Sequence, residues 1–486
     1  TDIFSCSRSP VNCEIRRSCA KRMRLGLIVG TFMGATTGCS EPVAPCCSPA
    51  DLMIMIETGP SEVRQGDVVS FGAVVTQDGS PSEVSVDWSV EPAGAGLMKV
   101  NGRFVAYRPG SATVVAEAQN VRAEKAITIS PRRVSVHAFS VVGQGEVRDR
   151  FTSDLWLNSG FAYTGTWGTR GGHPGDRLYA WDISNPSSPT ITDSVSVMAG
   201  TVNDVKIRDD GTLAVLTHEG SGDGLNGITL LDLADPLHPQ VISRFTAQLQ
   251  RGVHNVWIDG NFVYAVVDGS DARGGLRILD ISDPANPSIV ASFYGGDQFL
   301  HDVYVRDGLA FLSHWDPGLI ILDVGNGIAG GSPQNPVEVS RKQTVGGDTH
   351  NAWYDPERGY VFVGEEDFST PGKMHVVDAQ DLANPREVAT YTVEGTTPHN
   401  FWLDEENDVL YAAWYNQGIF AIDVSGELLG ELHRQGRTLA SFTYDGAGNC
   451  QSSGTCTWAP QWHAGHLWVS DMNSGLWALR FDFLAD

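Results

Sequence analysis

Four histidines recur at near-constant spacing, each followed by an amide or a carboxylate. They are His254-Asn255, His301-Asp302, His350-Asn351 and His399-Asn400, 47, 49 and 49 residues apart. Imidazole is the commonest metal-binding side chain, and four of them with an open side suit Fe, Cu or Zn. The chemistry this implies is one transition metal on His254, His301, His350 and His399. Polar, acidic stretches follow at matching places: Thr217-His218-Glu219, Asp268-Gly269-Ser270-Asp271, His314-Trp315-Asp316, Gly364-Glu365-Glu366-Asp367 and Trp414-Tyr415-Asn416. Among them Glu365, Glu366, Asp316 and Asp268 are candidates for acid/base work or for holding the imidazoles in place. A structural alternative stands beside the metal: a His-Asn/Asp pair in each repeat can simply bond neighbouring loops. The corresponding positions elsewhere read Ser153-Asp154, Asn203-Asp204 and Trp458. The structural reading is the weightier one, but a purely structural histidine would more naturally recur in every repeat, and this keeps the metal reading open.

The elements that position these residues are themselves repeated. One phrase returns as Leu178-Tyr179-Ala180-Trp181-Asp182, Thr229-Leu230-Leu231-Asp232, Arg277-Ile278-Leu279-Asp280, Ile320-Ile321-Leu322-Asp323, His375-Val376-Val377-Asp378 and Phe420-Ala421-Ile422-Asp423, and degenerately as Leu476-Trp477-Ala478-Leu479. The aspartates are 50, 48, 43, 55 and 45 residues apart, the length of one propeller blade. The phrase resembles the LVIVD repeat of bacterial seven-bladed β-propellers, over residues 131–486. Each repeat reads as four strands, as in His254–Ile258, Phe262–Val267, the aspartate phrase and Ser288–Phe293. The aspartate, with the following Asp/Asn-Pro, caps the turn into the fourth strand. The last repeat lacks that strand, and an orphan at 133–143 resembles it. The expectation is that the orphan completes the seventh blade and removes the exposed edges. The innermost strands would then ring four imidazoles around one mouth of the channel. Carotenoid-cleaving dioxygenases hold iron with four histidines on seven-bladed propellers, an architectural similarity only, since their motifs are missing here.

Residues 51–130 alternate apolar and polar positions in short runs with Gly/Pro turns, the pattern of a β-sandwich. Val86-Asp87-Trp88-Ser89-Val90 and Gly102–Val114 resemble the bacterial group-2 Ig-like domain, which makes Trp88 the expected core tryptophan. Such domains are spacers or adhesion modules, and no chemistry is assigned here.

At the N-terminus, Lys21-Arg22-Met23-Arg24 precedes an apolar run from Leu25 and then Thr36-Thr37-Gly38-Cys39. This is a secretory signal that resembles a bacterial lipobox, which implies lipidation of Cys39. Residues 1–38 are read as an upstream segment plus signal peptide, with Met23 the expected start, and 39–50 as a tether. Cys450 and Cys456 sit in one turn-rich loop and suit a local disulfide in an oxidising compartment. The formal net charge of −25 argues against nucleic acid as partner. Phosphate-cradling, nucleophile-elbow and zinc-protease motifs do not occur. The sequence therefore implies an all-β, extracytoplasmic protein, lipid-anchored to a bacterial membrane at the outer membrane or cell surface. The first expectation is a binding or scaffolding role for a small molecule, glycan or protein on the loop face. The alternatives are a four-His metalloenzyme of oxidoreductase or dioxygenase type, and a carboxylate-based lyase or hydrolase.

Overall fold

Runs such as Phe262-Val263-Tyr264-Ala265-Val266-Val267 combine β-branched and aromatic residues with no polar alternation. They suit strands buried on both faces. In the computed structural model, which describes residues 51–132, 138–367, 372–444, 450 and 454–482, that run is the second strand of a four-stranded antiparallel sheet. The sheet's strands are Val253–Asp259, Phe262–Val267, Gly275–Asp280 and Ser288–Phe293, in that order. Seven such sheets follow one another between residues 139 and 481. The fifth carries an extra strand, Gly430–Glu431, parallel to Arg386–Thr392. The protein is all-β and propeller-like. Among the described residues the only helical segments are 3-10 turns at Ala93–Ala95 and Leu432–Arg434, and no helix is long and apolar enough to cross a membrane.

The first strands of the seven sheets are Phe151–Asn158, Val205–Ile207, Val253–Asp259, Asp302–Arg306, Thr349–Asp355, Phe401–Asp404 and Thr457–His463. Each lies against the next, and the last lies against the first. Apolar side chains fill the space between successive sheets: Val215 and Leu230 of the second pack with Val256, Ile258 and Val263 of the third. The six phrase aspartates act as turn caps. The Oδ1 of Asp280 accepts the Ser282 N–H at 2.8 Å, and Asp182, Asp232, Asp323, Asp378 and Asp423 accept from the residue two further on.

The seventh sheet takes its outer strand from the other end of the repeats. Phe139–Glu146 pairs antiparallel with Gly475–Phe481. The strand lies later than the expected 133–143, and residues 133–137 fall outside the described residues. Residues 1–38, the tether 39–50 and Cys39 lie outside them as well.

Residues 51–130 form three small sheets around Phe71, Phe104, Val114 and Ile129. Phe104 and Val114 are fully buried, whereas Trp88 is half-buried at the margin of that cluster. The expected core tryptophan is thus peripheral, because Phe71 and Phe104, 6.2 Å apart edge to face, fill the centre. This region is fixed to the rest of the chain rather than hung from it. The Arg132 guanidinium donates to Asp423 at 2.7 Å with both side chains buried, and the Glu431 N–H donates to Tyr107 at 2.9 Å.

Candidate functional site

The innermost strands begin irregularly, and the irregularity carries the site. Their pairing with the second strand shifts register between Thr152 and Leu155, between Val253 and Val256, between Thr349 and Asn351, and between Thr457 and Ala459. These bulges hold Ser153, His254, His350 and Trp458. A bulge re-aims the side chain it carries and is common beside active sites. In the fourth and sixth sheets the regular strand starts only after His301 and His399, whose N–H groups bond to Ser313 and Ala413.

The four imidazoles stand in sequence order around one cavity of about 340 Å³. Successive ring centroids are 4.4, 4.1 and 4.5 Å apart. Nε2 of His254 is 3.1 Å from Nε2 of His301. Glu366 reaches in from the loop after the second strand of the fifth sheet. Its Oε2 lies 3.7 Å from His350 Nε2 and 3.9 Å from His301 Nε2. These three atoms lie within 4.8 Å of one another. They are too far apart to be hydrogen-bonded and close enough to share one ion, since ligands on bonds of about 2.1 Å sit roughly 3–4 Å from each other. His301 and His350 are buried, and Nδ1 of each has no hydrogen-bond partner.

The flanking imidazoles are held by their other nitrogen. His254 Nδ1 is 2.5 Å from Glu219, and His399 Nδ1 is 2.7 Å from the Trp458 carbonyl. Carboxylate and carbonyl partners of this kind fix the orientation of ligating imidazoles. Glu219, His254 and Asp268 form a second group within 4.8 Å. The Tyr415 hydroxyl donates to Glu366.

Burial sets the charge states. It pushes His301 and His350 well below the usual imidazole range, reinforced by neighbouring histidines, and takes His399 down to about 3. Burial also works against the imidazolium of His254, but the Glu219 hydrogen bond and the charges of Glu219, Asp268 and Glu366 outweigh it and lift that pKa to about 9. Burial raises Glu366 to about 7, against the Tyr415 hydrogen bond and the charge of His254. Burial and then Glu219 raise Asp268 to about 7.

Directly beneath lies a second, polar layer made by the next residue of six of the seven strands, Asp154, Asp204, Asn255, Asp302, Asn351 and Asn400, with Ala459 at the seventh. Lys206 enters it, donating to Asp154 at 2.7 Å and to Asp204. These side chains stitch neighbouring sheets together. Asp204 accepts from the Val256 N–H at 2.9 Å and Asn351 donates to the His399 carbonyl at 2.8 Å, while Asn400 of the sixth sheet donates past the seventh to Asp154 of the first at 3.1 Å. Below them Trp156, Trp257, Tyr304, Trp353 and Trp402 pack on one another, edge to face or tilted, around a space of only about 50 Å³.

All four expected histidines and Glu366 therefore line one cavity. The other three carboxylate candidates do not. Glu365 turns away into its own sheet, where it accepts from the Lys373 N–H at 3.1 Å and pairs with buried His375 at 3.3 Å. Asp316 is an exposed turn residue. Asp268 stands behind His254 rather than in the cavity wall. Glu219 and Tyr415 belong to loops that the sequence marks, but their roles come from contacts across sheets. Cys450 and Cys456 are bonded as a disulfide and form part of the cavity wall.

The LVIVD repeat model matches residues 149–197 and 250–294, the spans of the first and third sheets. No curated protein matches the chain.

Proposed function

We propose that the seven sheets are the blades of a closed seven-bladed β-propeller, that residues 51–130 are an Ig-like β-sandwich docked on it, and that the axial cavity is a transition-metal centre acting on a small molecule. The observation that carries this reading is the meeting of His301 Nε2, His350 Nε2 and Glu366 Oε2 within 4.8 Å in a buried cavity. Two imidazoles, a carboxylate and open positions are the ligand set of non-haem iron sites, and they also suit zinc or copper. His254, oriented by Glu219, is the fourth nitrogen at the edge of the set. His399, turned by its bond to Trp458, closes the side of the cavity. This differs from four equivalent histidines around one ion: two histidines and Glu366 form the core. When bound, such an ion polarises a substrate oxygen or exchanges electrons with it. The aromatic layer below leaves the loop face as the way in.

The test is elemental analysis of the intact chain, purified without chelators and offered Fe, Cu and Zn in turn. About one equivalent of one metal is expected, and a metal-free protein in all three cases overturns the reading. In that event a metal-independent binding or scaffolding role at the cell surface is the reading that stands.

The proposed setting is extracytoplasmic, with the chain anchored by lipid on Cys39. The lipobox-like Thr36-Thr37-Gly38-Cys39 and the Cys450–Cys456 disulfide support it. Cys39→Ala is expected to move the protein from the membrane to the soluble fraction, and retention at the membrane contradicts the anchor.

A further inference from the structure

The cavity has two unlike halves. The third to sixth sheets supply the imidazoles and Glu366. The first, second and seventh place Ser153, Asn203 and Trp458 at the same ring position, so the imidazole wall is interrupted there. The small Ser153 and Asn203 leave room. Trp458, Trp167, Tyr415, Met472 and the Cys450–Cys456 disulfide make an apolar wall facing the histidines. Trp167 and Trp458 stand 6.4 Å apart at 50° to each other, and Trp167 is 39% exposed. Such a wall suits a flat ring, because indole faces stack on other π-systems.

The charge of the lining narrows the choice. No lysine or arginine is among the described residues of the wall, whereas Glu366 and Asp154 are. Without a metal ion to offset them, an anion would lose its hydration and meet carboxylates, which is costly in a buried site. In the half without imidazoles one buried polar atom of the lining is left over. Asn203 is 4% exposed, and its Nδ2 is spent on the His254 carbonyl and Asn255 Oδ1, both at 3.1 Å. Its Oδ1 is buried and has no partner. A buried acceptor without a donor costs free energy that a ligand hydroxyl or N–H recovers.

We propose that the substrate of this cavity is an uncharged aromatic molecule bearing a hydroxyl or N–H donor, stacked on the Trp167/Trp458 wall with its donor on Asn203 Oδ1 and its ring against the histidines. The inference extends the reading of the cavity as a metal site, and the volume of about 340 Å³ fits one substituted ring rather than a polymer.

The experiment is isothermal titration of the intact chain with 4-methylphenol, toluene, 4-methylbenzoate and 4-methylbenzylammonium, each on metal-loaded and chelator-stripped protein. Saturable binding of 4-methylphenol is expected in both forms, with toluene weaker by about tenfold for the lost donor. To the chelator-stripped protein the two ions are expected to bind at least about tenfold more weakly. Trp167→Ala, at a partly exposed position, is expected to weaken 4-methylphenol by about tenfold without changing metal content. Asn203→Leu is expected to erase the difference between 4-methylphenol and toluene. Either ion binding the chelator-stripped protein as tightly as 4-methylphenol does, or an unchanged Trp167→Ala, overturns the proposal. Metal uptake without 4-methylphenol binding defeats this inference alone. Binding of 4-methylphenol by a protein that takes up no metal defeats the metal reading alone.

Discussion

Two neighbouring positions on the innermost strands face the same axis and do different work. The lower position holds Asp154, Asp204, Asn255, Asp302, Asn351 and Asn400, nearly uniform around the ring, and most of these side chains bond to another sheet. The upper position holds Ser153, Asn203, His254, His301, His350, His399 and Trp458, which vary from sheet to sheet. Its two central members, His301 and His350, leave a buried nitrogen unpaired. A side chain that serves the repeat appears in nearly every repeat. A side chain that serves a site appears where the site is. On the proposed reading, the histidine and the amide, which read in the sequence as one motif, separate into a chemical ring above and a structural ring below.

The largest expected effect lies in the lower ring. Lys206→Met removes the only cation among the described residues of that layer and leaves Asp154 and Asp204 buried together. Breaking a buried pair of this kind costs about 3–5 kcal/mol. Denaturant unfolding of the metal-free protein is the measurement, and a midpoint equal to wild type would show that the layer does not hold the sheets.

In the upper ring, Glu219→Gln is expected to weaken metal binding by about 10–100-fold, the usual cost of losing an outer partner of a ligating imidazole. Stability is expected to stay near that of the wild type, because Glu219 and His254 are only half-buried. Competition with a chelator of known affinity measures it. Unchanged affinity would place His254 outside the metal's ligands.

The smallest effect concerns a contact outside both rings. Burial works against the Asp423 carboxylate, but the Arg132 hydrogen bond and charge outweigh it and hold its pKa below the ordinary carboxylate range. A depressed acid pKa stabilises the fold above the unfolded value of about 4, and that contribution is lost as pH falls through the lower folded value. Wild type should therefore lose more stability than Arg132→Met as the pH falls from about 4 to about 2. Melting curves across that range decide it, and parallel profiles for the two proteins would contradict the assignment.

Much of this architecture is legible in the residues themselves. The phrase aspartates set the repeat, and the strands Phe262–Val267 and Ser288–Phe293 fall where the β-branched and aromatic runs and the turn residues put them. The ring of histidines follows from spacing alone. What stays hidden depends on orientation and on contacts between distant residues. Glu365 and Glu366 are adjacent at the end of Tyr360–Glu365, and neighbouring strand residues point to opposite faces, so composition does not say which one faces the axis. The bulges that aim His254 and His350 carry no residue signature. Glu219 reaches His254 across 35 residues and between two sheets. Trp88 has the residue type of a core position, while packing gives the centre to Phe71 and Phe104.

The most direct test uses two adjacent residues of one strand. His350→Ala and Asn351→Ala are compared with wild type for bound metal and for unfolding of the metal-free protein. His350→Ala is expected to abolish bound metal and to leave the metal-free stability within about 1 kcal/mol, since its Nδ1 bonds to nothing. Asn351→Ala strands the His399 carbonyl and should cost about 1–3 kcal/mol while metal is still bound. The reverse pattern, metal kept in His350→Ala and stability lost there rather than in Asn351→Ala, would contradict the division of the axis into a chemical and a structural ring.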